Sequence, residues 1–149
     1  MKTIKDLEGK TIAAPAGEAG LTIMPALIKA NKLNEAKINF LRVDGATKLV
    51  ATLEKRADGM LGGSENQPFI LEQRGLKTTV LNYADFGVNT MGLAIHVHQD
   101  TLKAKPKLVE GFIKAPQKAF ADAEKAAAAA IAAGLTVKPD MDKEMALKQ

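Results

Sequence analysis

A repeated order of short apolar segment, glycine-bearing loop and amphipathic stretch constrains the fold more than any other feature of this sequence. Thr11-Ile12-Ala13-Ala14 is apolar and bounded by Pro15 and Gly17, which suits a buried strand. Residues 18–32 then place Leu21, Met24, Leu27 and Ile28 at three- and four-residue spacing. That spacing predicts an amphipathic helix, with Pro25 requiring a local kink or a late start. The order recurs. Residues 38–43 predict a second strand, and 46–56 a helix with Leu49, Val50 and Leu53 on one face. The run Asp58-Gly59-Met60-Leu61-Gly62-Gly63 is a very short third segment, followed by Ser64 as N-cap and a helix through Pro68, Ile70 and Leu71 to a stop at Gly75. Residues 77–81 predict a further strand. Strands joined through helices call for right-handed crossovers. The first half is therefore expected to be α/β, a mostly parallel sheet of βα units.

The pattern changes beyond Gly87. Residues 91–97 predict one more extended segment, and from Pro106 onward the composition is helical. Leu108, Phe112, Ile113 and Phe120 form the apolar stripe of a long helix expected to be interrupted at Pro116, with the alanine run and Ile131 continuing it to Gly134. A last helix over 141–148 is expected to take Asp140 as its N-cap. The expected division is an α/β domain over 1–86, then a strand and C-terminal helices over 87–149.

Composition removes several classes of function. With 46% hydrophobic and 26% charged residues in 149, the chain can bury a core. It has no cysteine, which rules out disulfides, thiolate metal sites and cysteine nucleophiles. Two histidines cannot make a three-histidine metal centre. They alternate as His96 and His98, so an extended backbone would put both on one face, most simply a solvent-facing pair. Aromatics at 4%, a net charge of +4 and no long basic run argue against nucleic acid as a partner. The longest uncharged apolar stretch, over 126–137, is too short to span a bilayer, and residues 1–7 lack a signal-peptide pattern. The chain is expected to be soluble, and either to stay in the cytoplasm or to derive from a longer protein whose beginning is processed or truncated.

Two loops stand out as candidate sites. Pro15-Ala16-Gly17-Glu18-Ala19-Gly20 lies where a parallel strand gives way to a helix, where unpaired amides and the helix dipole favour an anion. An ordinary glycine-eased turn explains the same residues, and Glu18 would compete with an anionic ligand. The second loop, Gly62-Gly63-Ser64-Glu65-Asn66-Gln67, offers close backbone approach and several hydrogen-bonding groups, although capping by Ser64 accounts for much of it. Asp44, Asp58 and Asp85 each fall at a strand end, where turn chemistry is the commoner reason for an acid. No nucleophile-base pair stands out, and no cofactor is implied.

Asp6-Leu7-Glu8-Gly9-Lys10-Thr11-Ile12, Asp44-Gly45-Ala46-Thr47-Lys48-Leu49, Ala57-Asp58-Gly59, Asn66-Gln67-Pro68, Tyr83-Ala84-Asp85-Phe86-Gly87-Val88-Asn89 and Lys105-Pro106-Lys107-Leu108-Val109-Glu110-Gly111-Phe112 form an ordered series. Together they resemble the periplasmic substrate-binding proteins of ABC importers, in the branch that takes sulfonates, taurine, nitrate or pyrimidine precursors of thiamine. The resemblance implies a two-lobed clamp that closes by hinge bending. This chain would supply the second lobe and the returning portion of an incomplete first lobe. It also implies a non-enzymatic protein in the periplasm that delivers a small-molecule ligand to a membrane permease. The half-site would use Gly17, Glu18, Ala19, Gly20, Ser64, Glu65 and Asn66, with Asp85 on the hinge side. Orphaned C-terminal helices would pack on the second-lobe sheet or favour a homodimer. Two other readings are a thiamine-pyrimidine synthase, whose cysteine-rich iron site this chain could not supply, and a scaffold domain without a ligand.

Overall fold

The computed structural model describes residues 1–90, 92 and 94–148. The chain forms two compact units, Met1–Thr90 and Met91–Gln149. The first is α/β, a three-stranded parallel sheet in the order β2-β1-β3 with its helices, and the second is helical. This is the architecture expected of one binding-protein lobe followed by C-terminal helices.

Central strand β1 (Thr11–Ala14) explains its own composition. Paired on both edges and covered on both faces, it leaves Ala13 and Ala14 at 0% exposure and Ile12 nearly so, as a parallel strand in the middle of a sheet requires. It runs beside β2 (Asn39–Arg42) in the register Thr11↔Asn39 to Ala14↔Arg42, and beside β3 (Gly59–Met60) through Ile12↔Gly59 and Ala13↔Met60. Between β1 and β2 lies α1 (Ala19–Asn31), which buries Met24, Leu27 and Ile28. It starts at Ala19 and continues through Pro25, so the expected late start does not occur. Lys32, left-handed at φ 53°, ends it by donating its N–H to the carbonyls of Ile28 and Lys29.

Helix α2 (Gly45–Leu53) begins at Asp44, whose side chain accepts from the amides of Ala46 and Thr47 at 2.9 and 2.8 Å. Its inward face differs from the expected one. Lys48, Ala51 and Thr52 are buried, while Val50 is exposed. The small Ala51 lets the helix lie close to β1 and β3, and the Lys48 ammonium finds oxygen partners beneath it. Helix α3 (Gln67–Gln73) follows Asn66 rather than Ser64, because Pro68 with its fixed φ belongs in the first turn. The expected stop at Gly75 is present, with φ +82°. Residues 77–81 form no strand. A strand exists only where a ladder completes it, and this segment borders a cavity instead of pairing with the two-residue β3.

In the second unit the extended segment over 91–97 includes Met91 and Leu93, which lie outside the described residues. The rest of it forms no ladder, and Ile95 and Val97 are exposed. His96 and His98 are consequently not neighbours on a strand face: His98 caps α4 (Gln99–Ala104), its Nδ1 accepting from the Asp100 amide at 3.2 Å. Helix α5 (Pro106–Lys125) passes through Pro116 without a break. On a solvent-facing helix, the one missing N–H and the ring can be absorbed by curvature. The chain breaks instead at Ala126, and α6 (Ala127–Val137) continues past Gly134. Helix α7 (Lys143–Lys148) starts later than expected, because Asp142 rather than Asp140 accepts the first-turn amide, from Met145 at 2.9 Å.

Candidate functional site

All three strands are parallel, so their carboxyl ends open on one side of the sheet, where ligands of open α/β sheets bind. The chain leaves β1 through Pro15 and Gly17, the latter at φ +81°, and reaches Glu18, the N-cap residue of α1. A short side chain such as aspartate would turn onto the first-turn amides there. Glu18 does not. Its side chain makes no cap, and its carboxylate lies 2.8 Å from Lys48 Nζ. Lys48 also donates to the Leu61 carbonyl at 2.7 Å, just beyond β3. Its side chain is 5% exposed and that of Glu18 is 23% exposed. A buried ammonium thus links the exits of β1 and β3 from a position on α2.

Tyr83 closes the arrangement from the far end of the unit. It lies in a 3-10 turn, Tyr83–Phe86, that packs on α1, with its hydroxyl donating to the Gly20 carbonyl at 3.0 Å. Asn31 fixes the other end of this turn by donating Nδ2 to the Phe86 carbonyl at 2.9 Å. Burial, aided by the negative charge of Glu18, pushes the Tyr83 hydroxyl up to about 12. It therefore remains a donor at neutral pH.

A cavity of about 620 Å³ follows the open edge of β3. Its polar lining includes Glu18, Ser64, Gln67 and Tyr83, and its apolar lining includes Ile12, Met24, Leu61 and Leu71. The volume and the mixed lining are those of a small-molecule site. Gln67 Oε1 is buried without a hydrogen-bond partner, and so is Asn66 Oδ1. Gly62 is what admits Gln67, since a Cβ there would collide with Gln67 Oε1. Gly63 stands in the same relation to the carboxylate of Glu65.

Of the residues expected from the sequence, Glu18, Gly20 and Ser64 line the cavity. Gly17, Ala19, Glu65 and Asn66 belong to the same two loops but do not line it, and Asp85 is exposed in the Tyr83–Phe86 turn beside Asn82. Asp44 is a helix cap, and Asp58 accepts the Thr11 amide at 2.9 Å. That bond, with Lys10 nearby, holds the Asp58 carboxyl below the usual range. The principal site residue that sequence reasoning missed is Lys48. The signal available was its place in the same helical turn as Ala51 and Thr52, both compatible with burial. Gln67 and Tyr83 fall within sequence motifs that gave them no role. Among the described residues no group of three or more His, Asp or Glu could hold a metal ion, and no helix is long and apolar enough to cross a membrane.

The sequence matches the family described as NMT1/THI5 like over residues 1–130, which takes in both loops, Lys48, Tyr83 and the chain as far as α6. The chain belongs to the NMT1/THI5-like family. This is a family of periplasmic binding proteins, one of whose namesakes is a pyrimidine synthase. Membership points to a solute-binding or related function. No curated protein matches the chain.

Proposed function

We propose that the chain is the solute-binding component of an ABC importer and that the cavity beside β3 is one wall of its ligand cleft. A complete first lobe would close the cleft by hinge bending, excluding water from the ligand. The working location would be the periplasm, and the partner that receives the solute a membrane permease. Among the ligands that the branch takes, the lining supports a nitrogen heterocycle such as a pyrimidine over a sulfonate or nitrate. The observation that carries this choice is Glu18, which lines the cavity with its carboxylate paired to Lys48. A carboxylate accepts hydrogen bonds, and ring N–H and amino groups supply donors, whereas a sulfonate brings only acceptors. Binding is supported over synthesis by the absence of cysteine from all 149 residues, because the synthase chemistry implied by the resemblance needs a cysteine-rich iron site.

Thermal denaturation with millimolar 4-amino-5-hydroxymethyl-2-methylpyrimidine, taurine and nitrate tests the proposal. Binding to the folded state alone raises the midpoint with ligand concentration. The aminopyrimidine should raise it and the two anions should not. A midpoint unmoved by all three would end the reading of this chain as a ligand binder, and stabilisation by taurine alone would reverse the choice of ligand.

A further inference from the structure

The Glu18 carboxylate belongs to the residue that begins α1, near the positive end of that helix, yet the partner it bonds lies on another element. Leu21 and Thr22 both donate to the Glu18 backbone carbonyl, at 3.0 and 3.3 Å, whereas the Glu18 side chain makes no cap bond. That partner is Lys48, at 2.8 Å. Its ammonium is held under α2, where burial without an anion would be costly, and the Leu61 carbonyl alone cannot neutralise it. We propose that Lys48 is a positioning residue for ligand recognition: by pairing with Glu18 it keeps that carboxylate off the α1 N-terminus and presents it to the cavity as the acceptor for a ligand N–H. The same ammonium fixes the Leu61 carbonyl at the start of the loop that carries Gly62, Ser64 and Gln67, so one side chain sets the spacing between both walls of the site. The ligand's place in this scheme rests on the function proposed above, but the geometry of Glu18 does not.

Two measurements separate these parts. In ligand-free protein, Lys48→Met removes the ammonium and leaves an unbranched side chain in its place. Glu18 should then turn to cap α1, shifting its carboxyl-carbon resonance and moving the Gly20 amide proton downfield. Unchanged resonances for both groups would overturn the proposal whatever the chain binds. For the ligand, titration with the same aminopyrimidine should show Lys48→Met weakening binding about tenfold or more, the scale of losing a well-placed charged hydrogen bond. In the Glu18→Gln background the same Lys48 substitution should change affinity little, because Lys48 acts through the carboxylate. Equal losses in both backgrounds would show that Lys48 merely supports the fold and would overturn the proposal. The double variant removes both charges together and so leaves no unpaired ion should Lys48→Met alone fold poorly. If the wild-type chain does not bind the probe at all, the functional reading fails and the ligand-free resonances still decide the role of Lys48.

Discussion

The two units of this chain use apolar residues in opposite ways. In Met1–Thr90 they form a core: Ile12, Met24, Leu27, Ile28 and Leu61 pack together, with Leu27 at 0% exposure. In the second unit α4, α5 and α6 bury nothing, and Phe112 and Phe120 are 64% and 77% exposed. Both α1 and α5 have amphipathic spacing, but α1 belongs to a unit with a sheet, whereas the second unit has no strand among its described residues. Periodicity specifies that a face exists, whereas burial depends on what the rest of the fold supplies. Helix α5 contacts α4 and α6, and its surface carries the i,i+4 pairs Lys114–Glu110 and Lys118–Asp122.

The largest expected effect is therefore a contrast in truncation cost. Leu27→Ala should destabilise the first unit by about 2–5 kcal/mol, because it opens a cavity in packed surroundings. Phe112→Ala should change the second by no more than about 0.5 kcal/mol, the range for surface positions. Urea unfolding can follow both, since Tyr83 is the single tyrosine and there is no tryptophan, so aromatic fluorescence reports the first unit while far-ultraviolet dichroism includes the helices of the second. A multi-kcal/mol loss from Phe112→Ala would break the comparison by showing that this stripe is covered in solution.

The same contrast explains which features were legible in the sequence. Elements of the first unit with local causes could be read: β1 from its apolar run, α1 from its spacing and the end of α3 from Gly75. The strands expected over 77–81 and toward Val97 were not confirmed, because strand propensity becomes a strand only when another chain segment lies alongside. The site divides similarly. Its two loops were visible as glycines at strand ends, and Glu18, Gly20 and Ser64 do line the cavity. Lys48 and Tyr83 were not visible as site residues because their contacts join positions 30 and 63 residues apart, Lys48 to Glu18 and Tyr83 to Gly20. Spacing along the chain carries no record of such pairings.

An alkaline titration sharpens the contrast at a single group. Tyr83 is half-buried near Glu18, and its hydroxyl is raised to about 12. Because the folded value lies above the unfolded one, near 10, its contribution is fully present below pH ~10 and is lost as pH rises through the folded value. Tyrosinate absorbance should accordingly show a midpoint near 12, and Tyr83→Phe should remove that part of the alkaline destabilisation. A midpoint near the unfolded value of about 10 would mean that the hydroxyl is open to water and that the Tyr83–Phe86 turn does not hold against α1.

The smallest expected effect lies at the acid limit, and again the first unit should show it. Asp6, Asp44 and Asp58 all have carboxyls held below the usual range. For Asp44 the main cause is the Thr47 hydroxyl, which donates to it at 2.6 Å, followed by the Thr47 amide. A depressed folded value means that stability is present above the unfolded value, near 3.9, and disappears as pH falls through the folded one. Asp44→Asn is the informative change, because asparagine caps a helix about as well as aspartate but carries no charge. Stability at neutral pH should fall slightly, since Asp44 is exposed and its charge is largely screened, and the decline below pH ~4 should flatten. Followed by Tyr83 fluorescence, that flattening would place the acid response in the α/β unit. An acid branch as steep in the variant as in the parent would instead mean that the cap is already loose in solution, and the start of α2, on which the placement of Lys48 depends, would have to be held by packing alone.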